Sequence, residues 1–268
     1  MMGFIHLTIL AIIQGFTEFL PISSSGHLIL ISKLFTVENS LQFDISVHLG
    51  SLIAVIIYFK NEIKKFSFGL RDCLDLKFNT TNSKFLRYIF VATVPVIFVG
   101  FILKSTGLIN DLRSMLIIGL SSIIFGFLLL VSDKFGRNNK KITDLNLKDS
   151  IIIGLGQSIS LLPGSSRSGT TITFARFLGY NRLNSSKISM IMSIPTILAS
   201  GVLLINDLIF LDYNFINITK LIYASLLSFV VAYVCLILFF SYIKKYDFTI
   251  FVIYRCILGI LILSLILI

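Results

Sequence analysis

Long apolar stretches alternate with short polar segments along almost the whole of this 268-residue chain. About 20 consecutive apolar residues are enough to cross the hydrocarbon core of a bilayer as a helix. Six stretches approach that length and are predicted to span a membrane: residues 43–59, 85–103, 114–132, 188–205, 221–243 and 249–268. The pattern predicts an all-α polytopic membrane protein that forms a single integral membrane domain over residues 1–268.

Two further apolar stretches, residues 3–34 and 150–180, are each interrupted at the middle by a loop of small, hydroxyl-bearing residues. The interruptions are Leu20-Pro21-Ile22-Ser23-Ser24-Ser25-Gly26-His27 and Leu162-Pro163-Gly164-Ser165-Ser166-Arg167-Ser168-Gly169. Because the pieces on either side are too short to span, each stretch is predicted to form a re-entrant helix–loop–helix hairpin. The two Leu-Pro pairs lie 142 positions apart, which indicates an internal repeat.

Composition and charge agree with a membrane protein. Hydrophobic residues make up 56% of the chain and charged residues 13%, about half the charged share of a soluble domain. The net charge of +10 could indicate a nucleic-acid partner, but the basic residues concentrate between the apolar stretches. Residues 60–87 hold seven Lys and Arg, and residues 133–149 hold five. This distribution is typical of cytoplasmic loops and predicts no nucleic-acid partner.

The same charge distribution predicts the topology. If the basic segments are cytoplasmic, both termini lie outside, the first hairpin enters from outside and the second from the cytoplasm. Each half, approximately residues 1–132 and 150–268, then holds one hairpin and three spans. Because three is odd, the second half is inverted relative to the first. Inverted repeats with broken helices place their site near the bilayer midplane, and we expect this site to open outward.

The first loop carries several groups capable of chemistry. Gln14 and Glu18 are four positions apart and share one helix face, and an ionisable residue at membrane depth indicates function. Any of Ser23, Ser24 and Ser25 could cap the following half-helix, bind a phosphate at its N-terminus, or act as a nucleophile. His27 could be a base or a structural histidine, and Glu18 could instead bond the loop amides.

The second loop adds Arg167, the only basic residue between positions 150 and 175. Its planar guanidinium matches phosphate oxygens, and Ser166, Ser168 and Thr171 are hydroxyls close to it in sequence. The alternative is a structural salt bridge to Glu18. Together the two loops offer a carboxylate, an imidazole, hydroxyls and a guanidinium, a set that a phosphate ester or a diphosphate would use in full.

Both loops resemble the motifs of one enzyme family. Residues 14–27 look like the (E/Q)xxxE and SSxGH region of the undecaprenyl-diphosphate phosphatase family, also called the bacitracin-resistance protein family. Residues 163–171 match that family's PGxSRSxxT motif at every fixed position. The resemblance extends over the whole chain in length, hydropathy and repeat order.

The resemblance implies a hydrolase of the bacterial plasma (inner) membrane. It would convert undecaprenyl diphosphate to the monophosphate and inorganic phosphate, recycle the lipid carrier for peptidoglycan synthesis, and confer bacitracin resistance. A divalent cation, Mg²⁺ or Ca²⁺, is implied as cofactor. The implied catalytic residues are Glu18, which is also the implied metal ligand, with Ser24, His27 and Arg167. The implied substrate-binding residues are Gln14, Ser23, Ser25, Ser166, Ser168 and Thr171.

Other assignments are open from sequence. Gln14 stands where many family members have Glu, which leaves Glu18 as the only carboxylate of the motif. A transporter or flippase for a lipid phosphate is the alternative function, because carriers share inverted repeats and broken helices. Asp44 and His48 share one face of the first span and could line the cavity. Arg255 is predicted to snorkel to the cytoplasmic surface. The oligomeric state is undetermined, with a homodimer as one option.

Overall fold

A computed structural model describes residues 4–24, 26–28, 30, 41–210 and 218–266. Ten helices of at least eleven residues form this part of the chain. We number them α1 (Phe4–Thr17), α2 (Leu41–Tyr58), α3 (Lys60–Leu74), α4 (Thr81–Ser105), α5 (Met115–Phe135), α6 (Leu147–Ser158), α7 (Arg167–Phe177), α8 (Arg182–Phe210), α9 (Ile218–Ile243) and α10 (Thr249–Ser264). Among the described residues the regular structure is helical, apart from one isolated bridge between Lys140 and Tyr180. The predicted all-α class is confirmed.

Four helices, namely α4, α5, α8 and α9, are long and apolar enough to cross a membrane by themselves. The helix α2 satisfies the same criterion only together with α3, and the two are bent by 87° at Phe59. The helix α10 is apolar but has 16 residues in the described part, which is short of a full span. A multi-pass membrane protein is therefore confirmed, whereas the number of six spans stays a prediction.

The second broken stretch forms a helix–loop–helix hairpin. Its helices α6 and α7 have 12 and 11 residues, so neither can span alone. Asn146 caps α6 through the Asp149 amide, and Ser166 caps α7 through the Gly169 amide. In the first broken stretch α1 ends at Thr17, a turn follows, and the described residues from Ser24 to residue 30 are helical. Both interruptions therefore lie where the Leu-Pro-Ser segments predict them.

Helix packing in the two halves follows one pattern. The helix α1 packs against α9, and α6 packs in the corresponding way against α4. Glycine allows each contact: a Cβ on Gly15 would lie 2.7 Å from the Ser228 carbonyl oxygen, and one on Gly154 would lie 2.5 Å from that of Ala92. Such close approach through small residues is typical of helix pairs in membranes. The two contacts correspond in the predicted repeat, and the division into two repeated halves stays a prediction.

The helices α5 and α10 pack closely against each other. A Cβ on Gly119 would lie 3.1 Å from the Gly259 carbonyl oxygen, and one on Gly259 would lie 2.7 Å from that of Gly119. The contact is reciprocal, as expected for corresponding helices of two repeats. The main apolar cluster includes Phe19 from the first interrupted segment and Ile172 from α7. Both interrupted segments are thus anchored in the protein interior, where irregular backbone is shielded from lipid.

Candidate functional site

The two interrupting loops share a backbone conformation. Ser23 has a φ of 72° and Ser166 a φ of 68°, in the left-handed region that non-glycine residues rarely adopt. Each serine hydroxyl accepts a hydrogen bond from an amide three residues on, from Gly26 at 3.3 Å and from Gly169 at 3.2 Å. A capping serine was expected in the first loop, and Ser23 makes this contact. Strain of this kind persists only where the surrounding structure enforces it.

One buried arginine holds the two loops together. Arg255 of α10 donates to the carbonyl oxygens of Pro21 at 3.5 Å, Gly164 at 3.0 Å and Ser165 at 2.7 Å. A fourth bond, from Nε, reaches the Ser122 carbonyl oxygen at 3.2 Å. The side chain is 0% exposed, so the predicted snorkelling to the cytoplasmic surface is wrong. The physical reason is that the non-helical loops leave carbonyl oxygens without backbone partners, and the five donors of a guanidinium can satisfy them.

Arg167 and Glu18 bring the chemistry of the two loops into contact. The Arg167 Nη2 donates to Glu18 Oε1 at 3.2 Å, and the two side chains are 14% and 6% exposed. The other oxygen, Oε2, accepts from Gln14 Nε2 at 2.7 Å and from the Ser24 hydroxyl at 3.5 Å. The salt bridge considered from sequence is therefore formed, and the described contacts of Glu18 are to side chains rather than to loop amides. Carboxylate, hydroxyl and guanidinium form one cluster.

His48 lies at the same cluster. Its Nδ1 is 3.0 Å from Gln14 Nε2 and 3.7 Å from Glu18 Oε2. Because the Gln14 amide nitrogen is a donor, Nδ1 is the acceptor, and in a neutral ring the proton is on Nε2. The sequence indicated that His48 could line the cavity but gave no reason to connect it with Glu18. The i,i+4 face shared with Asp44 was the only signal.

His27 is held away from the cluster. Its Nδ1 donates to the Ser23 carbonyl oxygen at 2.7 Å, and its Nε2 accepts from the Tyr254 hydroxyl at 2.6 Å. The two rings stack with centroids 5.6 Å apart. Among the hydrogen bonds of the described residues, none joins His27 to Ser24 or Glu18. Sequence reasoning missed Tyr254, and its position next to Arg255 in a span was the only available signal.

The remaining candidates in the described part of the chain brace the two loops. The Ser168 hydroxyl donates to the Leu20 carbonyl oxygen at 2.8 Å, which ties the second loop to the first. Its oxygen also lies 3.2 Å from that of Ser166. The Thr171 hydroxyl is 2.6 Å from that of Ser189 on α8. Ser25 lies outside the described residues.

The oxygen atoms of the cluster that could bind a metal provide only part of a divalent-cation site. Glu18 offers a carboxylate, and Gln14 Oε1 is buried without a hydrogen-bond partner in the described part of the chain. Within that part, no three His, Cys, Asp or Glu residues are grouped as a metal cage would require. Magnesium is commonly bound by one or two carboxylates together with substrate phosphates. The residues therefore fit a cation shared with a bound phosphate, and not one enclosed by protein alone.

These features define a polytopic helical membrane protein in which two broken helices bring a carboxylate, a hydroxyl and a guanidinium together in the interior. The family model described as bacitracin resistance protein BacA matches residues 7–261. An undecaprenyl-diphosphatase of Jannaschia sp. (strain CCS1) is 43% identical over 263 residues, which are 98% of each chain. Undecaprenyl-diphosphatases of Ruegeria pomeroyi and Alteromonas mediterranea are each 42% identical, over at least 96% of both chains. The chain belongs to the bacitracin-resistance protein family.

Proposed function

We propose that this protein is an undecaprenyl-diphosphatase, which hydrolyses undecaprenyl diphosphate to the monophosphate and inorganic phosphate. The observation that carries the proposal is the cluster of Glu18, Ser24 and Arg167, assembled from both loops around the buried Glu18 carboxylate. The similarity to undecaprenyl-diphosphatases along nearly the entire chain supports the same activity. In the cell the reaction recycles the lipid carrier for cell-wall synthesis and confers bacitracin resistance.

Arg167 is the proposed clamp for the diphosphate. Its guanidinium is largely buried and is shared between one carboxylate and, at 3.5 Å, the Ser189 carbonyl oxygen. A phosphate carries more charge than the carboxylate and accepts two parallel N–H bonds, so it competes well for this fork. The backbone amides at the N-terminus of α7 add a partial positive charge next to the Arg167 guanidinium. We assign Gln14, Ser23, Ser25, Ser166, Ser168 and Thr171 to substrate binding, directly or by bracing the loops.

Ser24 is the proposed nucleophile. Its oxygen attacks the terminal phosphorus, the anhydride P–O bond breaks, and the monophosphate leaves with the bridging oxygen. The hydroxyl proton passes to Glu18 Oε2, the carboxylate oxygen 3.5 Å away. Water then hydrolyses the phosphoserine. Direct attack by water at the same phosphorus gives the same products, with Ser24 as a phosphate ligand instead.

The imidazoles have separate proposed roles. The geometry favours Glu18 over His27 as first proton acceptor, because both His27 nitrogens already have partners. His27 positions the half-helix that carries Ser24 and stays a candidate acid for the leaving group. His48, together with Gln14, orients the Glu18 carboxylate. A Mg²⁺ or Ca²⁺ ion held by Glu18, Gln14 Oε1 and substrate oxygens would neutralise part of the diphosphate charge.

The proposed location is the bacterial plasma membrane, with both termini outside and the site open to the outer face. The isoprenyl tail of the substrate would lie along the apolar helices and reach the site from within the bilayer. One observation favours a second function, lipid-phosphate transport: the corresponding helix contacts at Gly15 and Gly154 agree with inverted repeats, which many alternating-access carriers also have.

The two functions differ in whether phosphate is released. The purified protein in detergent is incubated with farnesyl diphosphate, a short isoprenyl substrate, in Mg²⁺ and in EDTA, and inorganic phosphate is measured. The hydrolase predicts multiple turnovers in Mg²⁺ and a large loss in EDTA. The Arg137→Ala variant, which changes an exposed arginine, serves as control and should match the wild type. Binding of the diphosphate without release of phosphate would favour the carrier.

A further inference from the structure

The helix α3 runs nearly perpendicular to α2, the apolar helix that precedes it. The bend of 87° lies at the single residue Phe59. Of the ten numbered helices, α3 is the least apolar. If α2 crosses the membrane along the bilayer normal, a helix at a right angle to it lies along the membrane surface. An amphipathic helix in this position is buried to the boundary between headgroups and acyl chains.

The residues of α3 form two adjacent rows. Lys60, Lys64 and Arg71 are at positions i, i+4 and i+11, which places them within an arc of about 40° on an α-helix. A second row also spans about 40° and consists of Ile63, Leu70 and Leu74. Its centre lies about 80° around the helix axis from the centre of the basic row. Leu70 is 56% exposed and Leu74 is 76% exposed. The helix thus presents a basic row beside an apolar row, in which Ile63 packs against the main apolar cluster while Leu70 and Leu74 stay exposed.

The basic row has no acidic partner. Within the described part of the chain, no carboxylate lies within ion-pair distance of Lys60, Lys64 or Arg71. The nearest acidic residues in sequence have other partners: Glu62 faces Lys187 at 4.0 Å on the other side of α3, and Asp72 accepts a hydrogen bond from the Thr80 hydroxyl at 2.6 Å. Three exposed cations beside two exposed leucines are complementary to a lipid that carries both a negative headgroup and acyl chains.

We propose that α3 is an interfacial helix that binds anionic phospholipids, with Leu70 and Leu74 in the acyl region and the Lys60–Lys64–Arg71 row on the phosphates. Each basic residue held near an anionic membrane surface adds binding energy, so three together enrich such lipids locally. This inference does not depend on the hydrolase activity. It gives the protein an anionic-lipid site on the membrane face where its basic segments lie, separate from the cluster at Glu18.

The chain contains no Trp, so a single introduced indole reports its surroundings without background. The Leu74→Trp protein is reconstituted into nanodiscs of phosphatidylcholine with one-fifth phosphatidylglycerol. In one sample the phosphatidylglycerol is brominated on its acyl chains, and in the other an equal amount of phosphatidylcholine is brominated. The ratio of the two fluorescence quenching constants gives the lipid preference at α3.

We expect quenching in both samples and a preference for phosphatidylglycerol of about threefold in 0.1 M salt. Adding Lys60→Gln, Lys64→Gln and Arg71→Gln should lower the preference to about 1 while quenching itself persists. The control removes the same charge from exposed residues outside α3, by Arg137→Gln, Lys148→Gln and Lys245→Gln, and should keep most of the preference. Absence of quenching would show that α3 is outside the bilayer. Equal quenching by the two lipids, or an equal loss in the control, would overturn the anionic site.

Discussion

The guanidinium of Arg167 donates to the carboxylate of Glu18 across 3.2 Å, although 149 positions separate the two residues in sequence. Each residue lies in or beside one of the two loops that interrupt apolar stretches. Their contact means that the two loops meet at one place in the interior and do not form two separate sites. The Ser24 hydroxyl at the same carboxylate completes a cluster that neither loop could form alone.

The first prediction concerns Arg255. Replacement by Met removes four hydrogen bonds to carbonyl oxygens of loops and helix, and leaves these buried acceptors unsatisfied. Each unsatisfied buried polar group costs roughly 1–3 kcal/mol, so a loss of several kcal/mol is expected. Thermal unfolding in detergent should show a clear fall in Tm together with loss of phosphate release. Arg137→Met, at an exposed position, should leave both unchanged, and a stable, active Arg255→Met protein would contradict the role given to Arg255.

The second prediction concerns Tyr254. The Tyr254→Phe variant keeps the ring that stacks on His27 and removes only the hydroxyl bonded to Nε2. If that bond positions His27 for turnover, kcat should fall about tenfold while KM and Tm change little, because one net hydrogen bond contributes about 1 kcal/mol. Steady-state phosphate release checks this. Wild-type kcat in Tyr254→Phe would show that the orientation of His27 has no influence on the reaction.

The third prediction concerns the glycine contacts between helices. In Gly154→Ala the added methyl would lie 2.5 Å from the Ala92 carbonyl oxygen, so α6 and α4 must separate. Overpacking of this kind costs about 1–3 kcal/mol. The matched variant Gly201→Ala adds the same methyl in a helix where nothing lies within 4 Å. The Tm of Gly154→Ala should fall and that of Gly201→Ala should not. Equal changes in Tm for the two variants would show that the contact between α6 and α4 is not the cause.

The sequence predicts some of these relationships and not others, for physical reasons. Hydropathy and the Leu-Pro-Ser segments indicate where helices break, because a polar loop at membrane depth must be enclosed. An arginine and a glutamate at that depth must each find a partner, so their meeting could be expected. Arg255 could not be predicted in the same way. Its partners are backbone carbonyl oxygens, which leave no complementary residue type in the sequence.

The contacts of the histidines depend on which helices become neighbours. His27 meets Tyr254, which lies 227 positions later in the chain, and His48 meets Gln14 across two helices. Residue type and spacing predict the face of a helix on which a residue lies. They do not predict which other helix packs against that face. The right-angle turn at Phe59 is a related case. Residues 60–87 are recognisable as basic, but their helix direction depends on how α3 packs against α4.

The central claim is that the two loops form one catalytic site, and a double-mutant cycle on phosphate release tests it most directly. The variants Glu18→Gln, Arg167→Ala and their combination are compared by kcat/KM with farnesyl diphosphate in Mg²⁺. Residues that act as a unit have strongly non-additive effects. We predict that kcat/KM falls at least about a hundredfold in each single variant. In the double variant it should fall by less than about a further tenfold below the weaker single variant. Losses that multiply, or an Arg167→Ala protein with wild-type kcat/KM, would contradict a shared site.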